Sequence, residues 1–349
     1  MPGPKRILIV GYFSRKQLFR RYFNHEYKLA NGFIRAGHQV ICFSDRDHAR
    51  EASLFATQRA GAKKMADKLL ELAGHYRPHL ILFGHTDLLP SGFYPRMRDA
   101  APDARMAAYC VDALFRRETI SSFAERLTHM DAGFTTTGDR DKIRALNLPE
   151  NKLHFLPNPV DAGIETAEVH EIAARDLDYD GQFLGTGIEQ REEQLDAIQA
   201  GLPADYRFFC AGRAFNTQRI DSTKFLDMLA RGAVCPNLPL SDNIPEQIDH
   251  LYSSDRIAQT LGMGITTLTL QASGLSELYD DGVLEYRNRS ELVELMVKLF
   301  HDDGLRRKIG ARGRRIAHDR TDGTRIARYI AAITCEDPLP EIFWSASPL

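Results

Sequence analysis

Short apolar runs alternate with amphipathic stretches along most of the chain. "RILIV" (6–10) is continuously apolar and stops at Gly11. "HEYKLANGFIRAGH" (25–38) then places Tyr27, Leu29, Phe33 and Ile34 at helical spacing, and "QVICFS" (39–44) resumes strand character. The pattern predicts a βαβ unit. It continues with a helix near 59–75 and strands at 79–84, 105–110, 132–137 and 153–161. Strands that are apolar throughout and alternate with helices imply a parallel sheet covered on both faces.

A second series begins after "AGIETAEVHEIAARDLD" (162–178), which is acidic and lacks strand character. Strands are expected at 179–185, 206–212, 265–270 and 282–286. Helices are expected near 190–200, 222–231, 254–262, 289–302, 304–318 and 322–333. The reading is an α/β chain of two Rossmann-like domains: 1–161, a linker at 162–178, 179–334, and a final segment 335–349 expected to pack back on the first domain. A length of 349 residues suits two cores.

Composition narrows the class further. A net charge of −2, with 43% hydrophobic and 26% charged residues, argues against a nucleic-acid binder with a broadly basic face. The apolar run in "MPGPKRILIVGYF" is too short for a signal-peptide core or a membrane span, so a cytoplasmic location is expected. The 5 cysteines form no CxxC pair and are expected to be buried, reduced thiols.

In open parallel sheets the ligand lies beyond the carboxyl ends of the strands. The residues to question in the first half are therefore Gly11, Tyr12, His85, Thr86, Asp87, Asp112, Thr136, Thr137 and Gly138. Neither G-x-G-x-x-G nor a Walker A loop is present, which disfavours ordinary NAD enzymes and P-loop ATPases. "FLGTGIEQREEQL" (183–195) offers a strand, a Gly-Thr-Gly turn and a helix carrying Arg191, an arrangement suited to a diphosphate. In "SSDRIAQTLGMGITTLTLQASGLSELYDDGVLEY" (253–286), Ser254 or Asp255 can cap a helix, Ile257 and Leu261 face inward, and Gly262 or Gly264 ends it before a β-branched strand.

This order of a helix with a polar residue at its middle, a G-x-G stop, a strand and a Gly-Leu-x-Glu loop resembles the donor-binding half of GT-B glycosyltransferases, particularly the bacterial spore-maturation-type and group 1-like members. "LPNPVD" (156–161) looks like the family's segment before the linker. "SELVELMVKLFHDDGLRRKIGARGRR" (290–315) looks like its helical tail. The resemblance implies two domains about a cleft, with the acceptor on the amino-terminal domain. It places the donor diphosphate near Gly185, Thr186 and Arg191, the ribose beside Gln259, and sugar and phosphate near Leu275, Ser276 and Glu277. Arg256 is expected to meet phosphate or to pair with Asp255 or Glu277.

Retaining members often carry a glutamate at the place of Gln259 and another at that of Leu251, so the double-glutamate signature is missing here. A glutamine carbonyl still accepts a ribose hydroxyl. On this reading Gln259→Ala weakens nucleotide binding and Gln259→Glu is tolerated. If the enzyme inverts, the base candidates are Asp112, Asp87 and His85, in that order. No metal is expected, although "SDRDH" (44–48) invites one, and no cofactor beyond the sugar nucleotide as co-substrate.

Two basic stretches remain. "SRKQLFRRYFNHEYK" (14–28) interleaves cations with aromatic residues, which would suit an anionic acceptor at the inner face of a membrane or a solvated helix with Phe packed inward. "RRKIGARGRR" (306–315) is expected to face solvent. The function implied is transfer of a sugar from a nucleotide-diphosphate sugar to a hydroxyl of a cell-envelope glycan or glycolipid. The alternatives are a same-fold epimerase or hydrolase, or a catalytically inactive partner protein that binds nucleotide sugar.

Overall fold

A computed structural model describes residues 3–53, 57–90, 92–185, 189–211, 220–240, 242 and 244–349. The chain forms two compact units. The first comprises Met1–Thr136, Arg140–Pro159 and Gly323–Leu349, and the second Thr137–Asp139 with Val160–Asp322.

The first domain is built on six parallel strands: β1 (Arg6–Gly11), β2 (Gln39–Ser44), β3 (Leu80–Phe83), β4 (Arg105–Cys110), β5 (Ala132–Thr135) and β6 (Leu153–Phe155), in the order β2-β1-β3-β4-β5-β6. Ile7 to Val10 and Leu80 to Phe83 are wholly buried, which explains runs apolar on both faces. Edge strand β2 stays partly exposed until Phe43 and Ser44. The helices are α1 (His25–Arg35), α2 (Asp45–Ala52), α3 (Gln58–Tyr76), α4 (Phe93–Ala100), α5 (Arg117–Leu127) and α6 (Arg140–Ala145). The parallel register aligns Gly11 with Ser44 and Val10 with Phe83, so the residues after β1, β2 and β3 emerge at one edge.

The second domain holds β7 (Gly181–Leu184), α7 (Glu189–Gly201), β8 (Phe208–Ala211), α8 (Phe225–Leu229), β9 (Val234–Asn237), α9 (Arg256–Gly262), β10 (Thr266–Leu270), α10 (Ser276–Tyr279), β11 (Leu284–Tyr286), α11 (Arg289–His301) and α12 (Asp303–Arg320). Its strands split into the parallel ladders β11-β10-β9 and β7-β8. Strand β9 was not foreseen, because Pro236 sits inside it. Proline donates no backbone hydrogen bond. Accordingly β9 forms its ladder with β10, and contact with the β7 segment is limited to a bridge between Tyr179 and Gly232 and the bond from Gln182 Nε2 to the Leu229 carbonyl.

Two boundaries differ from the sequence reading. Residues 160–178 belong with the second domain, where they are held by α12, and the last helix, α13 (Gly323–Cys335), belongs with the first. Ile326, Ala327, Tyr329, Ile330 and Ala331 of α13 join Leu29 and Phe33 of α1 and Phe134 of β5 in one core. Beyond it, Trp344 meets Tyr329 edge-on at 5.3 Å and the Leu349 amide donates to the Leu153 carbonyl at 2.8 Å.

The basic run 306–315 is a second correction, because it does not face solvent. Arg306 is buried and donates to the Ile172 carbonyl at 2.5 Å, Arg307 donates to the His170 carbonyl at 2.8 Å, and Arg314 donates to the carbonyls of Glu165, Ala167 and Gly262. A segment with no sheet of its own must satisfy its carbonyls somewhere, and here arginine forks do it.

Candidate functional site

In the second domain the candidate donor site gathers at the carboxyl end of β7. Arg256, the first residue of α9, is buried, with its guanidinium 4.4 Å from the Phe183 ring centroid. Its hydrogen bonds go to neutral oxygens: Asn237 Oδ1 at 3.2 and 3.3 Å, and the carbonyls of Leu238 at 3.1 Å and Leu184 at 3.4 Å. The carboxylates expected as its partners are engaged elsewhere, Asp255 with Gln259 at 3.3 Å and Glu277 with His250 at 3.5 Å. Burial pushes the Arg256 pKa down, yet a guanidinium remains charged at neutral pH.

Among the described residues no carboxylate pairs with Arg256, so the domain carries a buried, uncompensated positive charge. Such a charge costs several kcal/mol unless an anion answers it. Gly185 fits this environment, because a side chain there would begin 3.0 Å from Arg256 Nη1 and 3.0 Å from the Phe183 ring. Arg191, half-buried on the first turn of α7, brings a second guanidinium to 5.4 Å from the same ring. Thr186, the remaining residue expected at the diphosphate, lies outside the described residues.

Gln259 lies one turn along α9, buried, with its amide donating to Asp255 Oδ2. The helix ends at Gly262 and the chain turns at Gly264, whose φ of 70° is left-handed and favours glycine. The partner of Gln259 changes one sequence expectation. A glutamate at 259 would set two carboxylates together with no donor between them. Gln259→Glu is therefore expected to lower stability by about 1 to 3 kcal/mol at pH 7, with recovery on acidification, read by thermal melts. Leu275 is buried, Ser276 starts α10 half-buried, and Glu277 is exposed.

The first domain carries a separate group at the carboxyl edge of its sheet. His85 follows β3 and its Nε2 lies 3.4 Å from Asp112 Oδ2, just after β4; the other Asp112 oxygen lies 3.4 Å from Arg116. Asp87 is more exposed and lies 3.6 Å from Arg46. Asp112 is thus held between two cationic or protonatable groups while about a quarter of its side chain is open to solvent, which suits a proton acceptor. Arg126 braces the strand end that bears these residues, donating to the Gly84 carbonyl at 2.5 Å and to Thr86 Oγ1 at 3.2 Å.

Sequence reasoning missed Asp45 and Glu26, both buried beside this edge. The rule that selected Asp112 also selects Asp45, which follows β2 directly; Glu26, inside α1, carries no such signal. Burial raises the Asp45 pKa to about 7, with Glu26 and Asp87 adding to the rise and the Arg46 amide and charge opposing it. The folded state therefore binds a proton that the unfolded chain releases near pH 4. This contribution to stability is present below that pH and is lost as pH rises through about 7. Asp45→Asn should melt higher than wild type at pH 8, by on the order of 2 to 4 kcal/mol, with the gap closing toward pH 4.

Asp47 of the "SDRDH" stretch accepts from Ser44 Oγ at 2.5 Å and from the Arg15 amide at 2.7 Å. Among the described residues no group of three or more His, Cys, Asp or Glu side chains could hold a metal ion, and no helix is long and apolar enough to cross a membrane. Cys42 is exposed rather than buried, because it lies on edge strand β2; Cys110 and Cys235 are buried.

The paired α/β domains define the class, the GT-B architecture, and comparison with known proteins agrees with it. Residues 190–332 match the model of a family described as glycosyl transferase-like. Sucrose-phosphate synthase from Thermosynechococcus elongatus is 10% identical, covering 95% of this chain and 98% of that one, with a TM-score of 0.63. AviGT4, a glycosyltransferase involved in avilamycin A biosynthesis, is 10% identical over 95% of this chain and 98% of its own, with a TM-score of 0.60. Anabaena HepE, solved with UDP and glucose, is 10% identical over 95% of this chain and 100% of its own, with a TM-score of 0.56. No curated protein matches by sequence.

Proposed function

We propose that the protein is a glycosyltransferase that moves a hexosyl group from a nucleoside-diphosphate sugar to a hydroxyl of a cell-envelope glycan or glycolipid. The observation that carries the reading is Arg256, a buried cation bonded to neutral oxygens at the glycine turn after β7, with Arg191 beside the same ring. A diphosphate supplies the missing negative charge. As the glycosidic bond to the diphosphate breaks, negative charge grows on the leaving oxygen, and fixed guanidinium groups stabilise it without reorganising. Two arginines perform here the neutralisation that a divalent cation provides elsewhere, so the transfer is metal-independent.

Gln259 donates through its amide to Asp255, which leaves its carbonyl oxygen to accept from a ribose hydroxyl. Leu275, Ser276 and Glu277 border the sugar and its phosphate. On the acceptor side, Asp112 takes the proton of the attacking hydroxyl, with Arg116 and His85 fixing its two oxygens. The UDP and glucose named for HepE make UDP-glucose the first donor to try.

One observation favours a second reading: neither family glutamate is present, Gln259 and Leu251 standing in their places. This fits a protein that binds the sugar nucleotide without turning it over. Product analysis with labelled UDP-, GDP-, ADP- and dTDP-sugars, with and without cell-envelope glycans and lipids, separates the readings. Transfer gives a larger labelled product only with acceptor. Free sugar without acceptor means a hydrolase, an isomerised sugar nucleotide an epimerase, and binding without turnover an inactive partner.

A further inference from the structure

The loop between β1 and α1 carries a surface that sugar transfer does not use. Every residue from Arg15 to Tyr22 is exposed, including Leu18 at 83%, Phe19 at 52% and Tyr22 at 39%. The sequence reading that packed Phe inward fails at Phe19. No acidic residue lies between Ser14 and Asn24, whereas Arg15, Lys16, Arg20 and Arg21 flank the apolar pair.

The loop is also fixed from behind. The Arg15 amide donates to buried Asp47 at 2.7 Å, the Arg21 amide donates to Ser14 Oγ at 3.2 Å, and Tyr12 donates through its hydroxyl to Gln17 at 2.8 Å. The guanidinium groups of Arg21 and Arg46 lie 5.8 and 5.1 Å from the Tyr12 ring centroid. Leu18 and Phe19 both adopt left-handed backbone, with φ of 53° and 56°. Bulky residues rarely hold that conformation, and it persists only where surrounding bonds impose it. Here it exposes two large apolar side chains to solvent.

We propose that this loop is a docking wedge for an anionic lipid bilayer, with Leu18 and Phe19 entering the acyl boundary and the flanking cations meeting headgroup phosphates. Charge selects the partner. The whole chain carries −2, so an anionic surface does not attract the molecule as a body, and only a local cationic patch draws it in. The apolar pair then supplies the burial that stable adsorption needs beyond electrostatics. The inference is independent of the transfer reaction.

The test is co-sedimentation of the full chain with phosphatidylcholine vesicles, with and without phosphatidylglycerol. Wild type should pellet only with the anionic vesicles. Each cation changed to serine should cost about fivefold in partitioning, and Leu18→Asp with Phe19→Asp at least about tenfold, with unchanged melting temperatures because all these side chains are exposed. Phe19→Trp should show blue-shifted emission on adding anionic vesicles. Absence of pelleting, equal pelleting of all variants, or cation dependence with neither a blue shift nor a loss in the aspartate variant would each overturn the wedge.

Discussion

Asp112→Asn is expected to lower turnover between about 100-fold and 10,000-fold, the range for loss of a positioned general base, while sugar-nucleotide affinity and melting temperature stay near wild type. Asparagine keeps the size of the side chain and part of its bonding to Arg116 and His85, but it accepts no proton. Because Asp112 lies in the first domain, outside the residues assigned to the donor, a parallel loss of nucleotide binding would contradict the assignment. Replacement of His85 by Asn should have a smaller effect, since Arg116 still holds the other carboxylate oxygen. Full turnover in Asp112→Asn would point to a retaining transfer in which stabilisation of the departing diphosphate dominates.

The second large effect is expected at the arginine pair. Arg191→Ala should weaken nucleoside-diphosphate binding by about tenfold to 100-fold, the size of one or two charge-assisted hydrogen bonds, with little change in the melting temperature of the free protein. Arg191 is only half-buried, so the folded state loses little with it. Arg256 differs, because its guanidinium satisfies Asn237 Oδ1 and the Leu238 carbonyl inside the domain. Arg256→Met should therefore lose both nucleotide binding and about 2 to 5 kcal/mol of stability. Titration calorimetry and thermal melts on the two variants separate these roles.

The alternation of apolar strands and amphipathic helices was legible because strands buried on both faces leave little choice of residue, as at Ile7 to Val10. The candidate donor residues on α9 were legible through a motif, and the base candidates through the rule that strand ends face the ligand. Elsewhere the decisive information was not local. Pro236 hides β9, because a proline that disqualifies a central strand is tolerated where the ladder forms on one side. Helix α13 has the periodicity of any amphipathic helix, and only packing on α1 assigns it to the first domain. Arg306, Arg307 and Arg314 read as a solvated basic run because sequence shows charge but not the carbonyls that a distant loop leaves to be satisfied. Likewise nothing in the sequence shows that Asp255, three residues after Tyr252, takes the amide of Gln259.

The central claim is that the second domain holds a nucleoside diphosphate against the buried charge of Arg256. Thermal shift of the wild-type chain against UDP-, GDP-, ADP- and dTDP-sugars tests it most directly, since a ligand at 100 times its Kd stabilises the folded state by about 2.7 kcal/mol. The account predicts that at least one of them raises the melting temperature by about 5 °C or more, and that Arg191→Ala removes most of the rise. No shift with any of the four would contradict it.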